Sequence, residues 1–412
     1  MNILWITNVE LPLAASFFGR EIVVGGWMDN TSALLSKTDD INLYIVSDAK
    51  NYCYENQVIE NIHFWGFDAD DRCKMINDAI LVSKPDVVHI WGTEGCHIKD
   101  AISVLRRHKL LDRTVISIQG LKSEYYKYYC AGLPSKVSRK LVRIGRIKRT
   151  SLKNEMKEME KHGAVEKAAI KSVKHCIGRT DWDYKCVKKI NPAIQYHHVD
   201  EILRQPFYEA SWTYENCKKN SIFFSQSHYP LKGLHYMLEA LALVKREIPD
   251  VELRVLGINP KKVKDGRLRS YSDYLVELID KNHLESNIVW LGSLSADEMV
   301  NEYLAANVFV CASAIENSSN SVCEAMLVGT PIVATDVGGM RSLFGSYSKE
   351  ARLVDFSDCN ALQNAIINML VKENLNSGIN FELREYALKR SDEKNNIYQI
   401  IKLYGKILEE GY

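Results

Sequence analysis

The residues of this chain best placed to do chemistry are Glu316, Glu324 and Lys232. Seven residues separate the two glutamates. The stretch around them reads as an apolar run, Val308 to Cys311, then a small and polar loop, then a helix that starts near Ser321 with Ser or Asn available to cap it. Gly329 and Pro331 close that helix before the next apolar run, Ile332 to Ala334. Amide N–H groups at a helix start, together with the helix dipole, form a ready site for a diphosphate. Asn320, Ser321 and Val322 supply those amides here. Carboxylates repel phosphate but accept hydrogen bonds from sugar and ribose hydroxyls, so a glutamate on each side of the site suits a nucleotide sugar better than a bare nucleotide. The competing reading is a plain loop glutamate followed by a first-turn glutamate placed for the helix dipole.

Lys232 lies in Pro230-Leu-Lys-Gly-Leu234, just after the apolar run Ile222 to Phe224 and at the opening of a helix. A lysine there neutralises a diphosphate as a point charge and stabilises a leaving nucleotide, or is an ordinary exposed first-turn lysine. Ser227 and His228 precede it, and loop atoms from Gly292 to Leu294 are candidates for base recognition. Gly25 and Gly26, in the loop after the first apolar run, allow close backbone approach to phosphate or sugar, or simply make a turn. A second group surrounds Asp86 to Ile90. His89, alone on that apolar strand, fits a hydrogen-bonded core histidine as well as a catalyst. Glu94 and His97 on the following loop, and Gln119 after Val115 to Ile118, are candidates to contact acceptor or transferred sugar.

The elements that position these residues are short β-branched runs with helix-like segments between them. One series is Ile3–Ile6, Leu43–Val46, Val87–Ile90, Val115–Ile118 and Cys176–Ile177; a second is Ile222–Phe224, Leu253–Leu256, Ile288–Leu291, Val308–Cys311 and Ile332–Ala334. Alternation of this kind predicts an α/β protein with two doubly wound parallel sheets, and ligands in such sheets bind outside the carboxyl ends of the strands. Two domains facing an interdomain cleft follow as the expectation. Roughly Glu201 to Asn220 lacks periodicity and reads as a linker, giving domains at 1–205 and 206–390. Beyond them, at 391–412, Ile397, Ile400, Ile401, Tyr404 and Leu408 fall at helical spacing and predict a helix packing back toward the first domain.

The flanked pair Glu316…Glu324, with Ala325, Met326, Gly329 and Pro331, resembles the signature of retaining glycosyltransferases of family four, the group 1 glycosyl transferases, which have the two-Rossmann GT-B fold. The resemblance implies that Lys232 holds the donor diphosphate, that Gly25 and Gly26 face the donor, that Glu316 orients the sugar and that Glu324 binds the ribose. It also implies an acceptor loop around Glu94 and His97, and a cleft wall shaped by Asp336 to Gly339. Two departures stand out: Ser227 occupies the place of a second cationic residue, usually arginine, and Gln119 the place of a histidine that contacts the transferred sugar.

Length and charge set the outer limits. At 412 residues the chain is long enough for two domains, and a net charge of +1 gives no global attraction to nucleic acid. Ten cysteines without close metal-binding spacing read as reduced thiols, and the chain opens on a strand-like run rather than a secretory signal, which suggests a cytoplasmic protein. From Lys136 to Lys153 eight basic residues occur with no acidic one, interleaved with Val137, Leu141, Ile144 and Ile147. That spacing predicts a basic amphipathic helix, either lying on an anionic membrane or simply solvated. No Asp-any-Asp pair is seen placed after a strand as in metal-dependent transferases, no Gly-rich dinucleotide fingerprint opens a helix, and no Walker loop occurs, so neither metal nor cofactor is expected. The expectation is a retaining transferase moving sugar from a UDP- or GDP-sugar to a glycan or lipid-linked acceptor. A nucleotide-sugar epimerase and a non-catalytic scaffold subunit remain the alternatives.

Overall fold

The computed structural model describes residues 1–20, 22, 26–50, 52–68, 70–145, 148–227, 229–348, 352–371 and 379–411. Gly25 and His228 lie outside the described residues. The chain forms two compact units: residues 1–123, 161–204 and 390–412 make the first, and residues 124–160 and 205–389 the second.

In chain order the strands are β1 (Asn2–Thr7), β2 (Asn42–Asp48), β3 (Tyr54–Ile59), β4 (Ile62–Phe67), β5 (Val87–Trp91) and β6 (Thr114–Ser117). A small hairpin follows, β7 (Val142–Ile144) and β8 (Lys148–Thr150), then β9 (His175–Gly178) and β10 (Gln195–His198). The second unit adds β11 (Ser221–Phe224), β12 (Glu252–Leu256), β13 (Ile288–Gly292), β14 (Val308–Cys311), β15 (Ile332–Thr335) and β16 (Arg352–Val354). Every strand of the two predicted series is present. In the two large sheets those the apolar pattern did not show, β3, β4, β10 and β16, lie toward sheet edges, and three of the four are only partly buried: β3 is Tyr-Glu-Asn-Gln-Val-Ile, β10 is Gln-Tyr-His-His and β16 is half-buried.

The first unit's sheet runs β10-β9-β6-β5-β1-β2-β4-β3, parallel except for β3 against β4. Both faces are covered. Along β1, Ile3 and Trp5 enter one core with Leu43, Ile45 and Val87, while Leu4 and Ile6 enter the other with Val46, Val88 and Ile90. The helix Glu393–Glu410, capped by the Asp392 side chain on the Asn395 amide, completes the first core with Ile400, Leu403, Tyr404 and Ile407. Its Tyr404 hydroxyl accepts from Trp5 Nε1 at 3.1 Å.

The second sheet, β13-β12-β11-β14-β15-β16, is wholly parallel. Renumbered within the unit this is the order 3-2-1-4-5-6, which reverses direction between β11 and β14. Connections leave that point to opposite faces, so the loops after β11 and β14 diverge and leave room for a ligand.

Residues 124–160 pack with the second unit rather than the first, which differs from the sequence division at 205. The basic stretch within them is not a helix. Pro134 leads into a four-residue helical turn, Ser135–Ser138, and the antiparallel hairpin β7–β8 follows. Gly145, at φ +61°, takes a left-handed conformation that no continuous helix tolerates, and Val142 and Thr150 are buried as direct cross-strand partners. The apolar residues fell at near-helical intervals, but the glycine and the β-branched Val142 and Ile144 decided the local structure.

Candidate donor site and acceptor-side residues

Lys232 and Glu316 meet at the point where the second sheet reverses. Lys232 ends a 3-10 turn, Pro230–Lys232, after β11, and Glu316 sits in the loop after β14. The Lys232 ammonium lies 2.6 Å from Glu316 Oε1, and Ser313 Oγ donates to the same oxygen at 2.7 Å. Both charged side chains are largely withdrawn from water, at 16% and 8% exposure. Burial pulls the Lys232 ammonium down, but the Glu316 carboxylate more than offsets this, leaving it above the ordinary lysine value and charged. The pair lines a pocket of about 200 Å³ with Phe224, Ser225, Gln226 and Ser321.

The backbone around the pair is tightly specified. Gly233 follows Lys232 at φ +72°, and a Cβ there would stand 1.8 Å from the Ala312 carbonyl oxygen. Only glycine allows the lysine turn to lie against the β14 loop this closely. The Ala314 amide donates to the Leu231 carbonyl at 2.7 Å from the same side. From the other side Thr335 Oγ1 donates to the Ser313 carbonyl at 2.6 Å and the Gly339 amide to the Glu316 carbonyl at 3.0 Å. Gly338, at φ +54°, comes so near that a Cβ would lie 2.0 Å from that carbonyl. The Lys-Gly and Gly-Gly pairs therefore clamp one loop and hold Glu316 at a fixed place.

The helix Asn320–Val328 starts beside the pocket. Its N-cap residue, Ser319, makes no side-chain capping bond. The Val322 amide is engaged within the first turn, donating to the Ser319 carbonyl at 3.1 Å, and its side chain is in the core. One turn on, Glu324 is buried and accepts from the Tyr303 hydroxyl at 3.3 Å, while that hydroxyl also lies 2.9 Å from the Ser321 carbonyl oxygen. Ser227 is directed elsewhere: its hydroxyl donates to the Leu256 carbonyl at 3.0 Å. Leu294 is half-buried on the loop after β13 and is not part of the pocket lining. Ser313, Gln226 and Tyr303 are pocket or supporting residues that sequence reasoning missed. Ser313 carries a usable signal, a hydroxyl two residues beyond a strand that ends at a switch point; Tyr303 is 21 residues from Glu324 and had none.

In the first unit the sheet reverses between β1 and β5, and the candidates follow that point. Gly92, at φ +78°, is so enclosed that a Cβ would meet Glu94 Oε2 at 2.6 Å, Gln119 Oε1 at 3.0 Å and Asn8 Nδ2 at 3.1 Å. Asn8, unnoticed in the sequence, thus converges with Glu94 and Gln119, and its Oδ1 is buried without a partner. Burial raises the Glu94 carboxyl above its usual range. His97 is buried at a helix start with Nε2 3.2 Å from the Gly92 carbonyl oxygen, Nδ1 unpartnered, and burial pulls it down to about 4. It secures the loop from within and does not stand exposed on it.

His89 resolves toward the core reading. It is fully buried, with Nδ1 2.6 Å from the Tyr404 hydroxyl and Nε2 2.6 Å from Ser117 Oγ, and burial pulls it down to about 3. With Trp5 already donating to Tyr404, the consistent neutral arrangement has the phenol donating to Nδ1 and Nε2–H donating to Ser117. His89 and Gln119 both border a cavity of about 400 Å³ that also includes Arg179, Asp200 and Thr31. Gly26 opens the helix Gly26–Ser36 and faces Arg204, with 3.1 Å between its Cβ position and Arg204 Cδ.

Two Asp-any-Asp pairs do follow strands, contrary to the sequence reading. Asp181 and Asp183 begin the helix after β9, where Asp183 completes a capping box with Thr180 and accepts from Tyr196 at 2.5 Å. Asp68 and Asp70 follow β4, and Asp68 Oδ1 accepts from the Asp70 and Asp71 amides. Among the described residues one cluster has metal-ligating composition, Cys53, Asp68 and Asp71, and it contains no candidate site residue.

Two Rossmann-like sheets, each with candidate side chains beyond its switch point, define a protein of the GT-B class. Residues 213–390, most of the second unit, match the family described as glycosyl transferases group 1. Among curated relatives, the D-inositol 3-phosphate glycosyltransferase of Corynebacterium urealyticum is 29% identical over 177 residues, 43% of this chain and 41% of that protein. The putative glycosyltransferase YtcC of Bacillus subtilis is 32% identical over 124 residues, 29% of each chain. The matches thus span less than half of these relatives. The fold extends further: sucrose-phosphate synthase of Thermosynechococcus elongatus superposes with TM-score 0.70 at 15% identity over 99% of this chain and all of that one. Anabaena HepE, solved with UDP and glucose, superposes with TM-score 0.69 at 14% identity over 98% of this chain and 99% of its own.

Proposed function

We propose that the chain is a retaining, metal-independent glycosyltransferase of family four that takes its sugar from a nucleotide diphosphate donor. The observation that carries this reading is the buried Lys232–Glu316 pair at the second sheet's switch point, with the Glu324 helix opening beside it. Relatives named as glycosyltransferases, and the UDP complex of a protein of the same fold, support it.

In the proposed reaction the donor diphosphate lies between Lys232 and the first turn of the helix Asn320–Val328. Positive charge from the ammonium and the helix dipole grows in value as the sugar–phosphate bond breaks and negative charge collects on the leaving nucleotide. Glu316 accepts from hydroxyls of the sugar, and Glu324 from the ribose. The acceptor hydroxyl attacks from the face the nucleotide leaves and passes its proton to the departing phosphate oxygen, giving retention. On the acceptor side Asn8, Glu94 and Gln119 bind hydroxyls, and Gln119 does so without the acid–base capacity of a histidine. Because Lys232 supplies the phosphate charge, EDTA leaves turnover unchanged. A relative named as a phosphatidyl-myo-inositol mannosyltransferase, 28% identical over 48% of this chain, supports a lipid-linked or glycan acceptor met at a cytoplasmic membrane face in surface polysaccharide or glycolipid synthesis.

The test is incubation with UDP- and GDP-sugars and a panel of glycan and lipid-linked acceptors, with the product's anomeric configuration read by NMR. Transfer with the donor's configuration preserved is expected. Transfer with inversion refutes the retaining mechanism, and an epimerised free donor formed without acceptor refutes the transferase reading.

A further inference from the structure

The fold brings together two cationic segments that are more than a hundred residues apart in sequence. One is the hairpin β7–β8; the other is the loop from Lys261 to Arg269 that precedes the helix Arg269–Lys281. They are joined by a hydrogen bond from the Gly266 amide to the Arg143 carbonyl at 3.2 Å and by an ion pair between Arg267 and Glu155 at 3.2 Å.

The charges on this surface divide into two sets. Lys136 and Lys140 are engaged with Glu277 and Asp273, Arg269 also pairs with Asp273, and Lys261 pairs with Asp280 and Glu285. These pairs dock the segment onto the second unit. Among the described residues Arg143, Lys148, Arg149, Lys153, Lys262 and Lys264 are exposed and are absent from the ion pairs of this surface. Asp265 is the acid within the loop, where it is exposed, and Glu155 at the junction is already shared by Arg267 and the Thr150 hydroxyl.

The hairpin register points to an anion. Arg143 and Arg149 are direct cross-strand partners, so two guanidinium groups stand side by side on one face. Like charges directly opposite in a ladder are destabilising, and a bound anionic surface turns that cost into attraction. Large apolar side chains are exposed in the same segments: Leu141 enters the hairpin at 60% exposure, and Ile258 precedes the loop at 62%. Cations flanked by protruding aliphatic residues suit a surface with charged headgroups over hydrocarbon better than a soluble polyanion, which offers nothing apolar.

We propose that the β7–β8 hairpin and the 261–269 loop form one docking surface for an anionic lipid bilayer. The surface is built from two segments held in register by Gly266 and Glu155, and it does not depend on the donor site. Each cation near an anionic bilayer strengthens binding by about fivefold, so reversing two of them weakens it by well over tenfold.

The experiment is co-sedimentation of the full chain with vesicles of phosphatidylcholine alone or with about 30% phosphatidylglycerol, at about 0.1 M and about 0.5 M salt. Two double variants accompany the wild type, Arg143→Glu/Arg149→Glu and Lys262→Glu/Lys264→Glu, with thermal melting and UDP binding as checks on fold and donor site. The expected result is salt-sensitive binding to the anionic vesicles only, weakened at least tenfold in each variant while melting and UDP binding are unchanged. The proposal is overturned if the wild type ignores anionic vesicles, if either variant binds as well as the wild type, or if soluble heparin is bound while the anionic vesicles are not. If a variant fails to fold, Arg143→Gln/Arg149→Gln, which keeps the hairpin polar, is read in its place against the same outcomes.

Discussion

Removing Lys232 alone is expected to cost more than removing it together with the Glu316 charge. The charges are 2.6 Å apart and mostly buried. At an effective dielectric constant of about 20 their attraction is about 6 kcal/mol, most of which offsets the cost of taking two ions out of water. Lys232→Met leaves the Glu316 carboxylate with the Ser313 hydroxyl still donating to it but without its counter-ion, and a buried charge so stripped costs about 3 to 5 kcal/mol. Glu316→Gln strands the ammonium in the same way, although the amide oxygen keeps the Ser313 bond. The double variant Lys232→Met/Glu316→Gln buries no net charge, so its cost is expected to fall below that of Lys232→Met alone. The assay is urea unfolding of the four proteins, closed as a double-mutant cycle. Single costs below about 1 kcal/mol, adding without coupling in the double variant, would refute the claim that the pair is a tightly coupled buried unit. The same proteins separate the proposed roles, since Glu316→Gln is expected to leave UDP affinity within about threefold while lowering turnover at least about a hundredfold, and Lys232→Met to weaken UDP itself.

Gly233→Ala is expected to cost at least about 3 kcal/mol and to abolish donor binding, because it meets both a left-handed backbone and the Ala312 carbonyl; a variant that melts like the wild type contradicts the clamp. Glu166 is fully buried and accepts from the Thr93 hydroxyl at 2.7 Å, the Lys122 amide at 3.2 Å and the Ser123 amide at 2.9 Å, so Glu166→Ala strands three donors and is expected to destabilise by about 3 kcal/mol or more in chemical denaturation. Acid is expected to unfold the first unit early. Burial holds His89 at about 3 and His97 at about 4, below their unfolded value near 6.5, so the stability they contribute is complete above pH ~6.5 and drains as pH falls toward 4 and 3. A pH series of unfolding free energies for the wild type beside His97→Gln isolates this contribution, and a difference between the two that does not change between pH ~6.5 and ~4 contradicts it.

The architecture was legible because parallel strands covered on both faces are short apolar runs rich in β-branched residues, such as Val87–Trp91 and Val308–Cys311, recurring between helix-like segments. Edge strands such as β10 are polar on their open side and lose that signature. The candidate donor residues stand out because Gly233 beside Lys232, and Gly338, are forced by close backbone approach, which leaves a mark in sequence. Their partners leave none. Tyr303 reaches Glu324 through packing between two helices, Asn8 joins Glu94 only because β1 and β5 are sheet neighbours, and His97 looked like a loop residue until the buried helix start was seen. The basic hairpin shows the opposite failure: a helical spacing of apolar residues was present, but a single left-handed glycine outweighed it.

The central claim is that the second unit's pocket binds a nucleotide diphosphate sugar, and thermal stability against UDP, GDP, ADP and their sugars tests it most directly, with Glu324→Ala beside the wild type. A ligand at about 100 times its dissociation constant should stabilise by about 2.7 kcal/mol. Selective stabilisation by one nucleotide family, lost or sharply reduced in Glu324→Ala, is the predicted result; the absence of any shift at millimolar nucleotide would contradict the donor site and with it the proposed function.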